Sequence, residues 1–279
     1  MNRGVWNMRA LVTDIERGAT FDGPGIRTVV YFKGCPLRCL WCSNPETQKL
    51  KNEFWDYDGS LFKEKQIPCA KCPVASSLKQ VAKNMTLEEV FKIVMKDENF
   101  YRNSGGGVTL SGGEVLVNSA FAIKLFEKLK DEYVNTAIET TGYGSYKEFE
   151  KLAKLTDTIL FDIKHMDSEK HKKYTTVSNE IILENLTKLS KWHKKIIMRF
   201  PFIKGINDDE KNIHKTAEFL KNLNLLEVNI LPYHTMGLEK YKKLGRTYPM
   251  KTLEKHTQAE LDNALNIMKS YGLQAKLNG

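Results

Sequence analysis

Three of the chain's five cysteines fall within eight residues, in the stretch Gly34-Cys35-Pro36-Leu37-Arg38-Cys39-Leu40-Trp41-Cys42-Ser43-Asn44-Pro45. Three residues separate Cys35 from Cys39 and two separate Cys39 from Cys42. Three thiolates on one tight loop can hold three irons of a cubane iron–sulfur cluster, whose ligands are normally four cysteines. The missing fourth ligand leaves one iron open, and an open position is what separates a catalytic metal centre from a closed structural one. Spacing alone also admits a zinc knuckle that borrows a distant histidine, or unligated thiols packed as small hydrophobes.

Further groups could work beside such a centre. In Ser111-Gly112-Gly113-Glu114 the glycines let backbone approach a ligand and Glu114 adds an acceptor. No Gly-Lys-Ser/Thr follows, so this is not a phosphate loop. Asp162-Ile163-Lys164 sets opposite charges two residues apart, a pattern that a structural salt bridge explains equally well. Leu231-Pro232-Tyr233-His234 closes an apolar run on an imidazole, which packing alone could also account for. Arg199 interrupts the apolar run 196–202, and a guanidinium inside a strand requires an anionic partner. Cys69 and Cys72 form a C-x2-C pair compatible with no metal, a partial metal site or a redox dithiol.

The elements that must position these groups alternate along the chain. Strand-like runs occupy 10–14, 27–33, 106–110, 136–139, 158–162, 196–202, 228–231 and 274–277. Helical patterns lie at 120–129, 147–154, 181–192, 210–223 and 253–271, and Thr86 with Glu89 has the form of a capping box. Such alternation implies an α/β fold with parallel strands and right-handed crossovers. About six units are too few for a closed eight-fold barrel, which predicts an incomplete, curved (β/α)6-type TIM barrel. One domain over 1–279 is expected, with an irregular insertion at 50–84 that carries Cys69 and Cys72. In barrels the site gathers at the C-terminal ends of the strands. Glu114, Glu139, Asp162, Lys164 and His234 all follow or end strand-like runs, and the cysteine loop follows the second. The turn Asp22-Gly23-Pro24-Gly25-Ile26-Arg27 precedes that second strand and is expected to form a rim for a partner.

The charge balance is basic, 43 Lys+Arg against 34 Asp+Glu, which first suggests nucleic acid. Yet the lysines fall in short clusters with acids between them, the pattern of solvated helix faces, so no nucleic-acid partner is expected. An odd number of cysteines is no disulfide framework and points to a reducing cytosol. Residues 1–10 hold no continuous apolar stretch, and no run approaches the roughly 20 residues that span a bilayer. A cytoplasmic, non-membrane protein is the expectation.

Together, Asp22–Arg27, the cysteine loop, the Gly-Gly-Glu turn, Asp162–Lys164 and Leu231–His234 resemble the radical S-adenosylmethionine (SAM) activases of glycyl radical enzymes, a family that includes the pyruvate formate-lyase branch. The resemblance runs from about residue 14 to the C-terminus, interrupted only by the insertion. It implies that Cys35, Cys39 and Cys42 ligate a [4Fe-4S] cluster whose open iron takes the amino and carboxylate groups of SAM. Trp41 and Ser43 would flank the adenine, and Gly113 and Glu114 would hold the methionyl amino group. Asp162, Ile163, Lys164 and His234 would line the remainder, with Arg199 matching a family arginine less closely. Lys164 and His234 would stand on the path to the substrate. The resemblance also implies a monovalent cation, but Glu139-Thr140 stands where the pyruvate formate-lyase branch has Asp-Thr, which lengthens that ligand. Many such activases carry an eight-cysteine insertion with two further clusters, and Cys69 and Cys72 cannot build those. The implied activity is generation of a 5′-deoxyadenosyl radical that takes a hydrogen from a glycine of a large partner enzyme, with flavodoxin or ferredoxin as electron donor.

Overall fold

The structure is a computed structural model that describes residues 3–56, 79–250 and 254–278. Cys69 and Cys72 lie outside the described residues, and so does most of the expected insertion.

Strand β1 (Arg9–Ala19) turns through residues 20–26 into β2 (Arg27–Phe32), and the two pair antiparallel. Alternation along the sequence predicts a parallel pair. The link is too short for that, because a parallel crossover takes a dozen residues or more. Strands β3 (Phe54–Trp55) and β4 (Lys79–Gln80) form a small separate ribbon. Strand β5 (Lys83–Thr86) then pairs with the outer side of β1. The end of the segment expected to be an irregular insertion therefore belongs to the main sheet.

From there each strand is parallel to its neighbour: β6 (Gly107–Gly112), β7 (Asn135–Thr140), β8 (Thr158–Asp162), β9 (Ile196–Phe202), β10 (Glu227–Pro232) and β11 (Ala275–Leu277). The order across the sheet is β11-β10-β9-β8-β7-β6-β2-β1-β5, and its two ends do not pair. The barrel is thus incomplete, as expected.

Helices cover the outer face because alternate strand residues are apolar on that side. On β2, Val30 and Phe32 join the helix-packed core, while Tyr31 points the other way and donates to Glu16 Oε2 on β1 at 3.1 Å. Helix α1 (Leu87–Val94) opens on the capping box read from the sequence, with Thr86 N donating to Glu89 Oε2 at 2.7 Å. Helices α2 (Glu98–Ser104), α3 (Ser119–Asp131), α4 (Tyr146–Ala153), α5 (Ser168–Thr175), α6 (Glu180–Ser190), α7 (Glu210–Leu220) and α8 (Leu238–Lys243) follow. The last helix, α9, runs Gln258–Ser270 and starts later than its apolar pattern suggests, because Thr257 and Glu260 form a second capping box. Among the described residues no helix is long and apolar enough to cross a membrane.

The turn before β2 is not a rim. Arg27 is fully buried and donates to Thr109 Oγ1 (2.6 Å), the Pro24 carbonyl (2.9 Å) and Asn135 Oδ1 (3.0 Å), which ties the turn to β6 and β7. Burial brings its pKa down to about 10. Gly25 adopts φ +70, and a Cβ there would lie 2.4 Å from Gly106 N, so only glycine fits. Asp22 also turns inward: burial, then the nearby Glu139 charge, push its carboxyl up to about 7. The partner-rim expectation for Asp22 and Arg27 is corrected on these grounds.

Helix α5 anchors the cysteine loop. Its last carbonyls, Thr175 and Tyr174, accept the N–H groups of Arg38 (2.7 Å) and Leu40 (3.1 Å). His171 secures this end by bonding the Val177 carbonyl through Nδ1 at 2.7 Å. Burial lowers the His171 pKa from 6.5 to about 4. The unfolded chain therefore binds the extra proton, so this contribution is complete above pH ~6.5 and fades as pH falls toward 4. About 2 kcal/mol should be gone by pH 5. Urea unfolding at pH 7.5 and pH 5 is expected to show a smaller pH effect in His171→Asn than in the parent. Equal pH effects in the two proteins would refute the assignment.

Candidate active site

The cysteine loop leaves β2 through Gly34 (φ +114), whose N–H donates to the Thr47 carbonyl at 2.6 Å. Cys35 N donates to the Gln48 carbonyl (3.0 Å) and Cys42 N to the Cys39 carbonyl (3.1 Å), which folds the three thiols back over the barrel mouth. The Gly-Gly-Glu turn packs directly beneath. A Cβ on Gly113 would stand 2.2 Å from Gly34 O, and Glu114 N donates to that same oxygen at 2.9 Å.

All three thiols line one cavity at the C-terminal ends of the strands. Trp41, Ser43, Gly113, Asp162, Lys164, Arg199 and His234, expected from the sequence, line it too. Burial raises the pKa of each thiol, that of Cys39 to about 12, although the neighbouring Lys164 pulls Cys39 the other way. The thiols are therefore protonated until metal displaces the protons. Among the described residues no three His, Cys, Asp or Glu side chains form a group suited to one metal ion. A cubane instead takes each thiolate on a different iron, a demand that three thiols lining one cavity suit.

Two expected contacts need correction. Glu114 is fully engaged behind the cavity wall: it accepts from Thr140 Oγ1 (2.5 Å), Thr141 N (2.8 Å), Thr141 Oγ1 (2.6 Å) and Leu116 N (3.2 Å). It is absent from the cavity lining, and burial raises its pKa despite those donors. The carboxylate positions Thr140 and Thr141, which do face the cavity, so it has no oxygen to spare for an ammonium. Ile163 is 2% exposed and belongs to the main core, because strand alternation turns it away from the side that Asp162 and Lys164 occupy.

The charged wall is a network across three strands. Lys164 Nζ donates to Asp162 Oδ2 at 2.9 Å, so the structural salt bridge and the cavity position are both real. Burial opposes the Lys164 charge, but Asp162 and the Cys39 and Cys35 sulfurs together outweigh it and leave the pKa raised. Arg199 finds the anionic partner its strand position demanded in Glu139, which also accepts from Ser111 Oγ at 2.5 Å. Arg199 Nε lies 3.5 Å from Asp162 Oδ1, and both atoms are buried without a hydrogen bond. Buried polar atoms left short of partners on a cavity wall suit a polar ligand. His234 is exposed at the mouth, and partial burial and Lys255 lower its pKa. Trp41 packs with Ile203 and Tyr233 in an apolar patch separate from the main core.

Over residues 29–220 the chain matches the radical SAM superfamily. It is 36% identical to the choline trimethylamine-lyase activating enzyme of Oleidesulfovibrio alaskensis, over 94% of this chain and 96% of that one. It is also 36% identical to the pyruvate formate-lyase 2-activating enzyme of Escherichia coli, over 97% and 93% of the two chains. The chain belongs to the radical SAM activating enzymes of glycyl radical enzymes. A solved domain of a pyruvate-formate lyase-activating enzyme from Bacteroides vulgatus superposes with a TM-score of 0.54 at 30% identity, covering 63% of this chain and all of that one.

As a member of this family, the activase uses a [4Fe-4S] cluster and SAM to make a 5′-deoxyadenosyl radical, which takes a hydrogen from a glycine of a glycyl radical enzyme. Sequence reasoning missed several residues that shape the activase's site. Asn207 is fully buried and bridges the Lys164 carbonyl (2.9 Å) and the Pro201 carbonyl (2.6 Å), which pins two strand ends together. Gln48 lines the cavity, its carbonyl accepts from Cys35 N at 3.0 Å, and Arg246 donates to its Oε1 at 3.4 Å. Thr140 and Thr141, by contrast, are legible in the sequence, where with Glu139 they close a strand-like run on polar groups.

Proposed function

We propose that Cys35, Cys39 and Cys42 are the cluster ligands of this activase and that the cavity beside them is its SAM site. The observation that carries the reading is the shared cavity: three thiols on one wall and, on the facing strand ends, buried polar atoms short of partners. When bound, the cluster and SAM supply the radical. The chain's own residues do the rest. Gly113 brings backbone against the ligand, where a side chain would collide with the cysteine loop. The Asp162 and Arg199 pair offers an acceptor and a donor to SAM's polar groups. Lys164 lies near the Cys39 and Cys35 thiols and balances their negative charge once they ionise. Trp41 and Ser43 flank the adenine, and His234 stands at the mouth, where the partner's glycine must enter.

The unpaired ends of the sheet leave a lateral opening, which suits a substrate presented as a loop of a large protein. The partner in this reading is one glycyl radical enzyme. The reductant is a small carrier of the flavodoxin or ferredoxin type, and the setting is a reducing, anaerobic cytoplasm. The whole chain acts as one domain, with the segment that holds Cys69 and Cys72 outside the chemistry. SAM titration tests the site. Asp162→Asn should weaken binding by about ten-fold or more, the worth of a charge-assisted hydrogen bond. Unaltered affinity would place SAM elsewhere.

A further inference from the structure

We infer that a basic surface with an apolar centre, on the outer side of the cysteine loop, docks a small acidic one-electron carrier protein. The inference rests on the reading that such a carrier reduces the cluster. Its centre is a pair of aliphatic side chains: Leu50 is 67% exposed and Val117 40% exposed. They meet over Gly34, where a Cβ would stand 2.8 Å from Leu50 Cδ2 and 3.0 Å from Val117 Cγ1. Gly34 is bonded directly to Cys35, so this spot is among the shortest covalent routes from solvent to a cluster ligand.

The surroundings are cationic. Lys33, Lys49 and Arg246 share the single carboxylate of Glu53, and Lys240 pairs with Glu46. Arg38 and Lys51 are exposed, with no carboxylate partner among the described residues. Five exposed or half-buried cations thus surround the spot, with the buried Lys33 beneath them, against two carboxylates. Elsewhere several helix lysines pair with an acid one turn away, as in Lys92–Glu88, Lys154–Glu150 and Lys188–Glu184. An exposed apolar centre with a rim of one charge is the form of a protein-docking site, and the rim's sign selects an acidic partner and speeds its approach. In the transfer the carrier gives up one electron and the oxidised cluster takes it, with no bond made or broken.

The test uses a purified flavodoxin as the probe. Its affinity for the chain is measured by titration at low and high salt, and its rate of reducing the reconstituted cluster by anaerobic stopped flow. The variant Lys49→Glu/Leu50→Ser/Lys51→Glu should lose at least about tenfold in both, and the wild-type affinity should fall with salt. Reduction by dithionite, which needs no docking, should be unchanged. A control, Lys191→Glu/Lys194→Glu, reverses charge at the opposite end of the barrel and should stay near wild type. Wild-type-like binding by the triple variant, an equal loss in the control or a parallel loss with dithionite would overturn the proposal. Failure of the underlying cluster reading would look different: even dithionite-treated wild-type protein would not cleave SAM.

Discussion

Cys39→Ala should abolish iron loading at the cysteine loop and all cleavage of SAM. Cys39 is the middle ligand of the three, and its loop is held from outside by the Arg38 and Leu40 hydrogen bonds to the end of α5. Those bonds do not involve the thiol, so the variant should fold. What it loses is one of three anchors, and two thiolates cannot retain a cubane whose ligands are normally four. The expected result is iron near background after anaerobic reconstitution and no 5′-deoxyadenosine under reductant. Production at the wild-type rate by this variant would remove the cluster assignment.

The second large effect concerns Glu114, and its cause differs from the one the motif suggests. With its carboxylate committed to Thr140, Thr141 and Leu116, Glu114→Ala leaves two N–H groups and two hydroxyls unpaired, each buried one costing about 1–3 kcal/mol. The Thr140–Thr141 wall should shift, and SAM affinity should fall by about ten-fold to a hundred-fold. Two further variants separate positioning from direct contact. Glu114→Gln keeps an acceptor of the same shape and should bind SAM within a few-fold of wild type. Thr141→Val should reproduce much of the alanine loss. If the glutamine variant were as weak as the alanine variant while Thr141→Val bound normally, Glu114 would touch the ligand after all.

How much was legible in the sequence depended on how local the cause was. The cysteine spacing and the polar groups at strand ends could be read directly, because a parallel barrel brings those ends together wherever they occur in the chain. The capping box at Thr86 was likewise visible within four residues. Three features were not. The turn at Asp22 looked like a surface connector because its residues are turn formers, yet Arg27 buries itself against β6 and β7, contacts separated by about eighty residues or more. Glu114 carried an acidic group in a ligand-binding motif, and nothing local revealed that Thr140 and Thr141 saturate it. Gln48 had no signal at all, since its side-chain partner, Arg246, lies 198 residues further along the chain. The antiparallel start of the sheet was readable in principle from the shortness of residues 20–26.

The central claim is that three thiols on one cavity hold a cluster whose open iron takes SAM. It is tested most directly by electron paramagnetic resonance of the reconstituted, one-electron-reduced protein, recorded with and without SAM. The account predicts a reduced [4Fe-4S] signal whose g-values shift on adding SAM, and no such signal in Cys39→Ala. A signal that is identical with and without SAM, or one that survives in Cys39→Ala, would contradict it.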